Sequence, residues 1–182
     1  REQLERGERL RRRVEQLNSI FELGHLFQST ASPVDVLEAI AYSVQDSVGF
    51  DTILMLLVDD EAGCLRRVAH AGLPLNLFEA SRADTIPLDN VRALLREDYH
   101  ISESYFFPAE RSDDWTVDGI QALSTAFEGS RPLDDTSGGN WRNGDLFVVT
   151  LRSTAGEVIG LMCLDRPYNN RRPDRGTVEV LE

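Results

Sequence analysis

The stretch Gly144–Asp165, GDLFVVTLRSTAGEVIGLMCLD, decides the fold. It predicts two strands, Asp145–Arg152 and Glu157–Leu164. The turn between them contains the small residues and the glycine that a tight hairpin connection needs. The chain therefore contains at least one β-hairpin, and the composition of the two faces of that hairpin determines what must surround it.

Both faces of this hairpin are apolar. In the first strand, Phe147, Val149 and Leu151 alternate with Leu146 and Val148. In the second strand, the pattern places Val158, Met162 and Leu164 on one face and Ile159, Leu161 and Cys163 on the other. A strand pair that is apolar on both faces must be covered on both faces. We therefore expect a sheet between two layers.

The composition limits the class of protein. A chain of 182 residues is long enough for one domain with a sizeable core. The net charge of −12 disfavours general binding to nucleic acid or to an anionic membrane. The chain lacks a signal-peptide pattern and a run of about eighteen apolar residues. Its two cysteines, Cys64 and Cys163, lie in apolar stretches, as in proteins of the reducing cytoplasm. We expect a cytoplasmic segment of a longer protein.

Residues 1–28 are predicted to form one long helix. Its apolar positions are spaced by three and four residues, as in the seam of a coiled coil: Leu10, Val14, Leu17 and Phe21. Arg and Glu occupy most other positions. This narrow stripe predicts a homodimer helix, and the alternative is a helix that packs on its own domain. A basic nucleic-acid arm is disfavoured because Glu residues are interspersed.

The rest of the chain alternates helices and strands. The predicted elements are a helix from Ser32-Pro33-Val34-Asp35 to about Ser47, strands Asp51–Val58 and Cys64–Ala71, an extended Thr85–Leu88, a helix Asn90–Arg96, one strand His100–Phe107, a short helix Val117–Phe127, and a final helix capped by Thr177. Residues 108–143 are acidic but contain both tryptophans, so we expect this long connection to fold over the sheet.

Several pieces of this sequence, in this order, resemble the GAF domain, a small-molecule-sensing module of bacterial signalling proteins. These pieces are Ser32-Pro33-Val34-Asp35-Val36-Leu37, Ile101-Ser102-Glu103-Ser104-Tyr105-Phe106, Gly144-Asp145-Leu146, Gly156-Glu157-Val158-Ile159-Gly160, Leu164-Asp165, and Arg172-Pro173 leading to Val180-Leu181-Glu182. The resemblance extends from about Leu17 to the end of the chain.

The resemblance implies an α+β fold of the GAF/PAS type. Helices would cover one face of a central antiparallel sheet of five to six strands, and a lid of loops and short helices, residues 75–143, would cover the other. Residues 1–28 would be a signalling and dimerisation helix, and residues 29–182 the sensory domain, ending at the start of its exit helix. Such a domain is non-catalytic, binds a small ligand under the lid, and signals through its terminal helices to an output domain in the same chain.

Each kind of chemistry found in this family can be compared with these residues. A bilin chromophore would need a lid-side cysteine, usually beside a histidine, and neither cysteine has one. Haem would need a lid-side histidine, for which His100 and, less well placed, His70 are candidates. The Asn-Lys-Phe-Asp-Glu signature of cyclic-nucleotide binding is absent, because the chain has no lysine. The lid also lacks the cysteine relay of methionine-sulfoxide reduction. Acidic pairs such as Asp113-Asp114 lack metal-ligand spacing, so we expect no metal site and no required cofactor.

The aromatic side chains between residues 75 and 143 remain the best candidates for a ligand site. We select Tyr105, Trp115, Tyr99, Phe78 and Trp141, together with the polar Ser104, as ligand-binding residues. A largely apolar pocket with a few polar groups is typical of small-molecule sites. The alternative is that these residues form only the core of the lid. In that case the pocket is empty, and the domain is a structural dimerisation module.

Overall fold

A computed structural model of the chain describes residues 32–115 and 139–182. The predicted helices of residues 1–28 and 117–127 lie outside these ranges, as do the predicted dimer residues Leu10, Val14, Leu17 and Phe21. None of the helices within the two ranges has the length and hydropathy that crossing a membrane requires.

The described elements alternate between helices and strands. In chain order they are α1 (Pro33–Val44), a π-helical turn (Gln45–Gly49), β1 (Phe50–Asp59), β2 (Cys64–Ala71), α2 (Leu75–Ser81), β3 (Ile86–Pro87), α3 (Leu88–Leu94), a 3₁₀ turn (Glu97–Tyr99), β4 (His100–Ile101), β5 (Ser104–Phe107), a 3₁₀ turn (Ala109–Arg111), α4 (Ser112–Trp115), β6 (Leu146–Arg152), β7 (Val158–Pro167) and α5 (Arg175–Leu181). The class is α+β, as predicted.

The strands form one antiparallel sheet in the order β3-β2-β1-β7-β6-β5-β4. Within the described residues the sheet already has seven strands, so the prediction of five to six is wrong. Two of the strands, β3 and β4, have only two residues each, too few for a periodic pattern. The predicted single strand His100–Phe107 is instead two strands, β4 and β5. A turn at Ser102 and Glu103 separates them, so that they pair with each other as a hairpin.

The hairpin β6–β7 contributes to two cores, as its pattern predicts. Phe147, Val149, Met162 and Leu164 belong to the core on one face, which we call the helical face. Leu146, Val148, Leu161 and Cys163 belong to the core on the other, which we call the lid face. The structure corrects two positions. Val158 packs on the lid face, because an irregularity in β7 pairs Arg152 with Val158 and Leu151 with Gly160. Ile159, predicted to lie on the same face as Leu161 and Cys163, is 44% exposed.

The helical face is covered by α1 and α5. Ser32 and Asp35 form a capping box: the Ser32 hydroxyl accepts from the Asp35 amide at 3.2 Å, and the Asp35 carboxylate accepts from the Ser32 amide at 3.1 Å. The cap of α5 is Asp174 and not Thr177 as predicted, since the Asp174 carboxylate accepts from the Thr177 amide at 2.8 Å. Val178 of α5 and Ala41 of α1 are fully buried on this face.

The lid face is covered by α2, β3, α3 and the turn that follows. Their buried residues in this core are Phe78, Ile86, Val91, Leu94 and Tyr99. The prediction that all of residues 75–143 cover this face is wrong in part. Ile101 and Phe106 pack on the helical face instead, because the short strands β4 and β5 send alternate side chains to opposite faces. Trp141, in the loop that precedes β6, also packs on the helical face.

An ion pair between Asp145 and Arg172 joins the start of β6 to the segment that leads into α5. The Asp145 side chain is fully buried and accepts from the Ala109 amide at 2.8 Å and the Arg142 amide at 2.9 Å. It also accepts from Arg172, from Nε at 2.8 Å and from Nη2 at 2.9 Å. The hydrogen bonds from Arg172 to Asp145 raise the pKa of Arg172, and a hydrogen bond from Arg172 to Glu110 contributes less. One carboxylate thus holds three separate segments together.

We predict that Asp145→Asn destabilises the fold by about 3 kcal/mol, because each Asp145 oxygen accepts from one amide and from the guanidinium, and an amide NH₂ in place of either oxygen would face two donors. Chemical denaturation measures this change. Glu179→Gln is the control, since it removes an exposed helical ion pair with Arg175 and should leave the free energy of unfolding nearly unchanged. Equal effects of both variants would contradict the role of Asp145.

We also predict that Gly160→Ala destabilises the protein by about 1–3 kcal/mol. A Cβ at Gly160 would collide with the carbonyl oxygen of Leu56 and lie 2.9 Å from Leu57 Cδ2. Gly176→Ala is the matched control, because its Cβ would meet only the Asp174 carboxylate at 3.5 Å. Alanine is also the better helix former, so this control should be neutral or stabilising by up to about 1 kcal/mol. A Gly160→Ala variant as stable as the wild type would contradict the close approach of β7 to β1.

Candidate ligand site on the lid face

A row of directly paired residues crosses the lid face from β2 to β5. His70 pairs with Leu54, Leu54 with Cys163, Cys163 with Val148, and Val148 with Tyr105. Directly paired residues of antiparallel strands project to the same face of a sheet. The row therefore places an imidazole near one end of the face, a thiol at its centre and a phenol near the other end.

A β-bulge brings a second polar residue of β2 to the lid face. The register between β1 and β2 shifts so that Met55 pairs with Ala69 and Leu56 with Arg67. Residues three apart in a regular strand project to opposite faces, but the extra residue at Val68 reverses this for Arg67 and His70. The alternation pattern alone does not reveal the bulge, so sequence analysis missed Arg67.

Arg67 is a buried cation that anchors α2 to the sheet. Its side chain is 5% exposed, and Nη1 donates to the carbonyl oxygen of Ser81 and, at 3.5 Å each, to the carbonyl and the carboxylate of Asp84. Burial lowers the pKa of Arg67, and the nearby Asp84 opposes this effect. An arginine stays charged at neutral pH even so. The pairing of this charge fixes the end of α2 over the lid face.

His70 is the candidate that best combines burial with unused hydrogen-bonding capacity. The residue is 8% exposed, its ring lies 4.2 Å from the Phe78 ring, and its Nδ1 atom is buried without a hydrogen-bond partner among the described residues. Burial lowers the pKa of His70, while Glu38 and Glu79 act in the opposite direction. The imidazole is therefore neutral at neutral pH and can donate or accept one hydrogen bond at a ligand.

Tyr99 provides a second buried polar atom on the same face. Its ring packs on Phe107 at 4.9 Å, and the guanidinium groups of Arg96 and Arg111 lie 5.4 and 4.9 Å from its ring centroid. Its hydroxyl is buried without a partner within residues 32–115 and 139–182. Buried hydroxyls are normally hydrogen-bonded, so this one is an available donor or acceptor.

Cys163, at the centre of the row, is fully buried. Burial raises the pKa of its thiol to about 12, and the charge of Arg67 only partly opposes this. The thiol is therefore protonated at neutral pH and is a poor nucleophile. Cys64 is also free and buried. Neither cysteine is placed for attachment of a chromophore from solvent.

The structure divides the six selected residues between the two faces. Phe78, Tyr99 and Tyr105 pack on the lid face. Trp141 packs on the helical face, where its indole nitrogen donates to Asp165 at 2.9 Å. Ser104 pairs with Val149 and also faces the helices. Trp115 ends α4, and its side chain lies outside the description. The lid face thus brings three of the six together and adds His70 and Arg67.

Two further predictions concern His100 as a haem ligand and acidic pairs as metal ligands. His100 is exposed on β4, and its ring lies 5.1 Å from that of Tyr105. Within the two described ranges, no group of three or more His, Cys, Asp or Glu residues is arranged to hold a metal ion.

The chain has the fold of GAF domains. It is similar to the GAF domain of an Acinetobacter phosphoenolpyruvate-protein phosphotransferase, with a TM-score of 0.61 and 15% identity over 92% of this chain and 86% of that one. It is also similar to residues 122 to 287 of a methyl-accepting chemotaxis protein (TM-score 0.56, 17% identity, 86% of both chains). A third similar structure is the phycocyanobilin-bound GAF domain from a cyanobacterial phytochrome (TM-score 0.55, 16% identity, 91% and 87%). Neither a protein-family model nor a curated protein sequence matches this chain.

We predict that His70 makes the protein less stable in acid. Its pKa is lowered in the folded state, so the unfolded state binds more protons as the pH falls through the unfolded value of about 6.5. The stabilisation present above that pH is lost as the pH falls towards the folded pKa. The free energy of unfolding at pH 7.5 and 5.5 should therefore differ more in the wild type than in His70→Phe.

His100→Gln is the control for this prediction, because it removes an imidazole from an exposed edge strand. An equal pH dependence in the wild type and in His70→Phe would show that His70 is not buried as described.

Proposed function

We propose that this chain is a non-catalytic sensory domain of a cytoplasmic bacterial signalling protein. It binds a small, largely apolar molecule on the lid face and signals through the terminal helices of a homodimer to an output domain in the same chain. The observation that carries the proposal is the pair of buried atoms, His70 Nδ1 and Tyr99 Oη, that lack partners among the described residues. A buried polar group without a partner costs about 1–3 kcal/mol, and a ligand that supplies the partner recovers this cost.

The surroundings of His70 favour a flat ligand with one polar edge. The Phe78 ring lies against the imidazole, and Leu54 and Cys163 continue the face away from it. Apolar contact would supply most of the binding energy, while the neutral imidazole would fix the orientation through one hydrogen bond. Because burial disfavours a charge on His70, a neutral polar group on the ligand suits this position better than an anion.

The dimer rests on the sequence spacing of Leu10, Val14, Leu17 and Phe21. In a parallel dimer, a helix of this kind would place two sensory domains side by side, and their exit helices would then lead in the same direction. This arrangement would let a change in one lid reach the output domain through helix position.

A specific observation favours a second candidate, a structural dimerisation module without a ligand. The lid-face core is already dense: Phe78, Ile86, Val91 and Leu94 are each 5% exposed or less. A haem- or bilin-bearing sensor is a weaker alternative. The cyanobacterial phytochrome domain of similar fold carries phycocyanobilin, but here both cysteines are buried and the Cys163 thiol is protonated.

Native mass spectrometry and an absorption spectrum of the purified chain separate these candidates. We expect a dimer without a visible band, and a thermal-shift screen of small planar compounds should yield one that stabilises it. A compound at 100 times its Kd should raise the free energy of unfolding by about 2.7 kcal/mol. The His70→Phe variant should bind the same compound about tenfold more weakly, since it loses one hydrogen bond.

Tyr168→Phe is the matched control, because Tyr168 is 55% exposed and lies outside the lid-face core. It should bind as the wild type does. A dimer that no compound stabilises would favour the structural module, a visible band would favour haem or bilin, and a monomer would remove the proposed role of residues 1–28.

A further inference from the structure

The turn between β4 and β5 holds the carboxylate of Glu182, which follows α5. Three donors converge on this group: the Ser102 hydroxyl on Oε2 at 2.6 Å, the Glu103 amide on Oε1 at 2.7 Å, and the Ser104 hydroxyl on Oε1 at 2.8 Å. Residues 102–104 and residue 182 are about eighty positions apart in the chain, so this contact is tertiary. Hydrogen bonds to an ionised acceptor are stronger than those between neutral groups.

The turn is shaped for this contact. Ser102 has φ +59°, a left-handed conformation that residues with a side chain adopt at some energetic cost. The Glu103 carbonyl oxygen accepts from Thr150 Oγ1 at 3.1 Å, which ties the turn to β6. Ser104 is fully buried, so removal of Glu182 would take away the acceptor of a buried hydroxyl. The turn therefore presents its donors in a fixed arrangement.

The segment that carries Glu182 is also anchored at the start of α5. Asp174 caps this helix, since its carboxylate accepts from the Thr177 amide at 2.8 Å. The Glu182 amide donates to the Val178 carbonyl at 3.2 Å, which continues the helical hydrogen bonding to this residue. Residues 174–182 are thus held by the cap at Asp174 and by the three donors of residues 102–104.

Ser104 and Tyr105 connect this contact to the lid face. They are consecutive residues of β5 that face opposite sides: Ser104 pairs with Val149 of the helical face and Tyr105 with Val148 of the lid face. The two-residue strand β4 lies outside β5 at the edge of the sheet, so β6 is the only other strand among the described residues that pairs with this hairpin. A displacement of Tyr105 would therefore move the Ser104 hydroxyl as well.

We propose that residues 102–104 are a carboxylate latch for the exit helix, and that the packing of Tyr105 on the lid face controls whether the latch is closed. Its role in signalling rests on the proposed function, because there a ligand under the lid would be what displaces Tyr105. The latch consists of contacts within this chain, so it is testable without a ligand.

Amide hydrogen exchange detected by NMR tests the latch directly. The Glu103 amide donates to the Glu182 carboxylate, so its exchange should accelerate about tenfold or more in Glu182→Ala, which removes the acceptor, and in Ser104→Ala, which removes one of the donors that hold this carboxylate. The double variant should add little to Glu182→Ala, because the Ser104 hydroxyl acts through the same carboxylate. Glu179→Gln, a charge loss on the same helix, is the control and should exchange as the wild type does.

The Leu54 amide, in the buried centre of the sheet, reports global unfolding and separates a local opening from a general loss of stability. Single variants whose Glu103 exchange matches the control, or rises only in parallel with that of Leu54, would overturn the latch.

The connection to the lid is tested by Tyr105→Ala, with Tyr105→Phe as its control. Tyr105→Ala removes the lid-face ring without altering any latch residue, and it should accelerate exchange at Glu103 while Tyr105→Phe should not. An unchanged Glu103 amide in Tyr105→Ala would overturn the coupling and leave ligand binding to stand on its own test. Failure of every compound to bind would overturn the proposed function without affecting these measurements.

Discussion

The requirement that the central hairpin be covered on both faces determines the architecture. Phe147 and Val148 are adjacent in β6, both fully buried, and belong to cores on opposite sides of the sheet. If either face of the hairpin were exposed to water, its apolar surface would cost about 25 cal/mol for each Å². Among the described residues, α1 and α5 cover one side, and α2, α3 and the turn Glu97–Tyr99 cover the other.

The ion pair between Asp145 and Arg172 joins two segments that are distant in the sequence. Asp145 directly precedes β6, and Arg172 precedes α5. The same carboxylate accepts from the Ala109 amide, which adds the turn after β5 to this point. These polar residues at the ends of elements fix where the chain after β5 leaves the sheet and where α5 begins.

Periodicity predicted the long elements well and the short ones poorly. The strand Cys64–Ala71 has the bounds that its pattern indicated, and the two faces of β6 are as predicted. One error has a local cause: the turn at Ser102 folds a predicted single strand back on itself. A bulge at Val68, which no prediction addressed, brings Arg67 and His70 to one face. Alternation by itself carries no information about either event.

The six selected site residues lie on different faces. Phe78, Tyr99 and Tyr105 pack on the lid face, whereas Ser104 and Trp141 lie on the helical face. The candidate polar groups on the two faces have different surroundings. On the helical face, the Trp141 indole donates to Asp165 and Ser104 donates to Glu182. On the lid face, His70 and Tyr99 each bury an atom without a partner among the described residues. Because unsatisfied buried groups are costly and uncommon, these two atoms are the physical basis of the ligand site that we propose on the lid face.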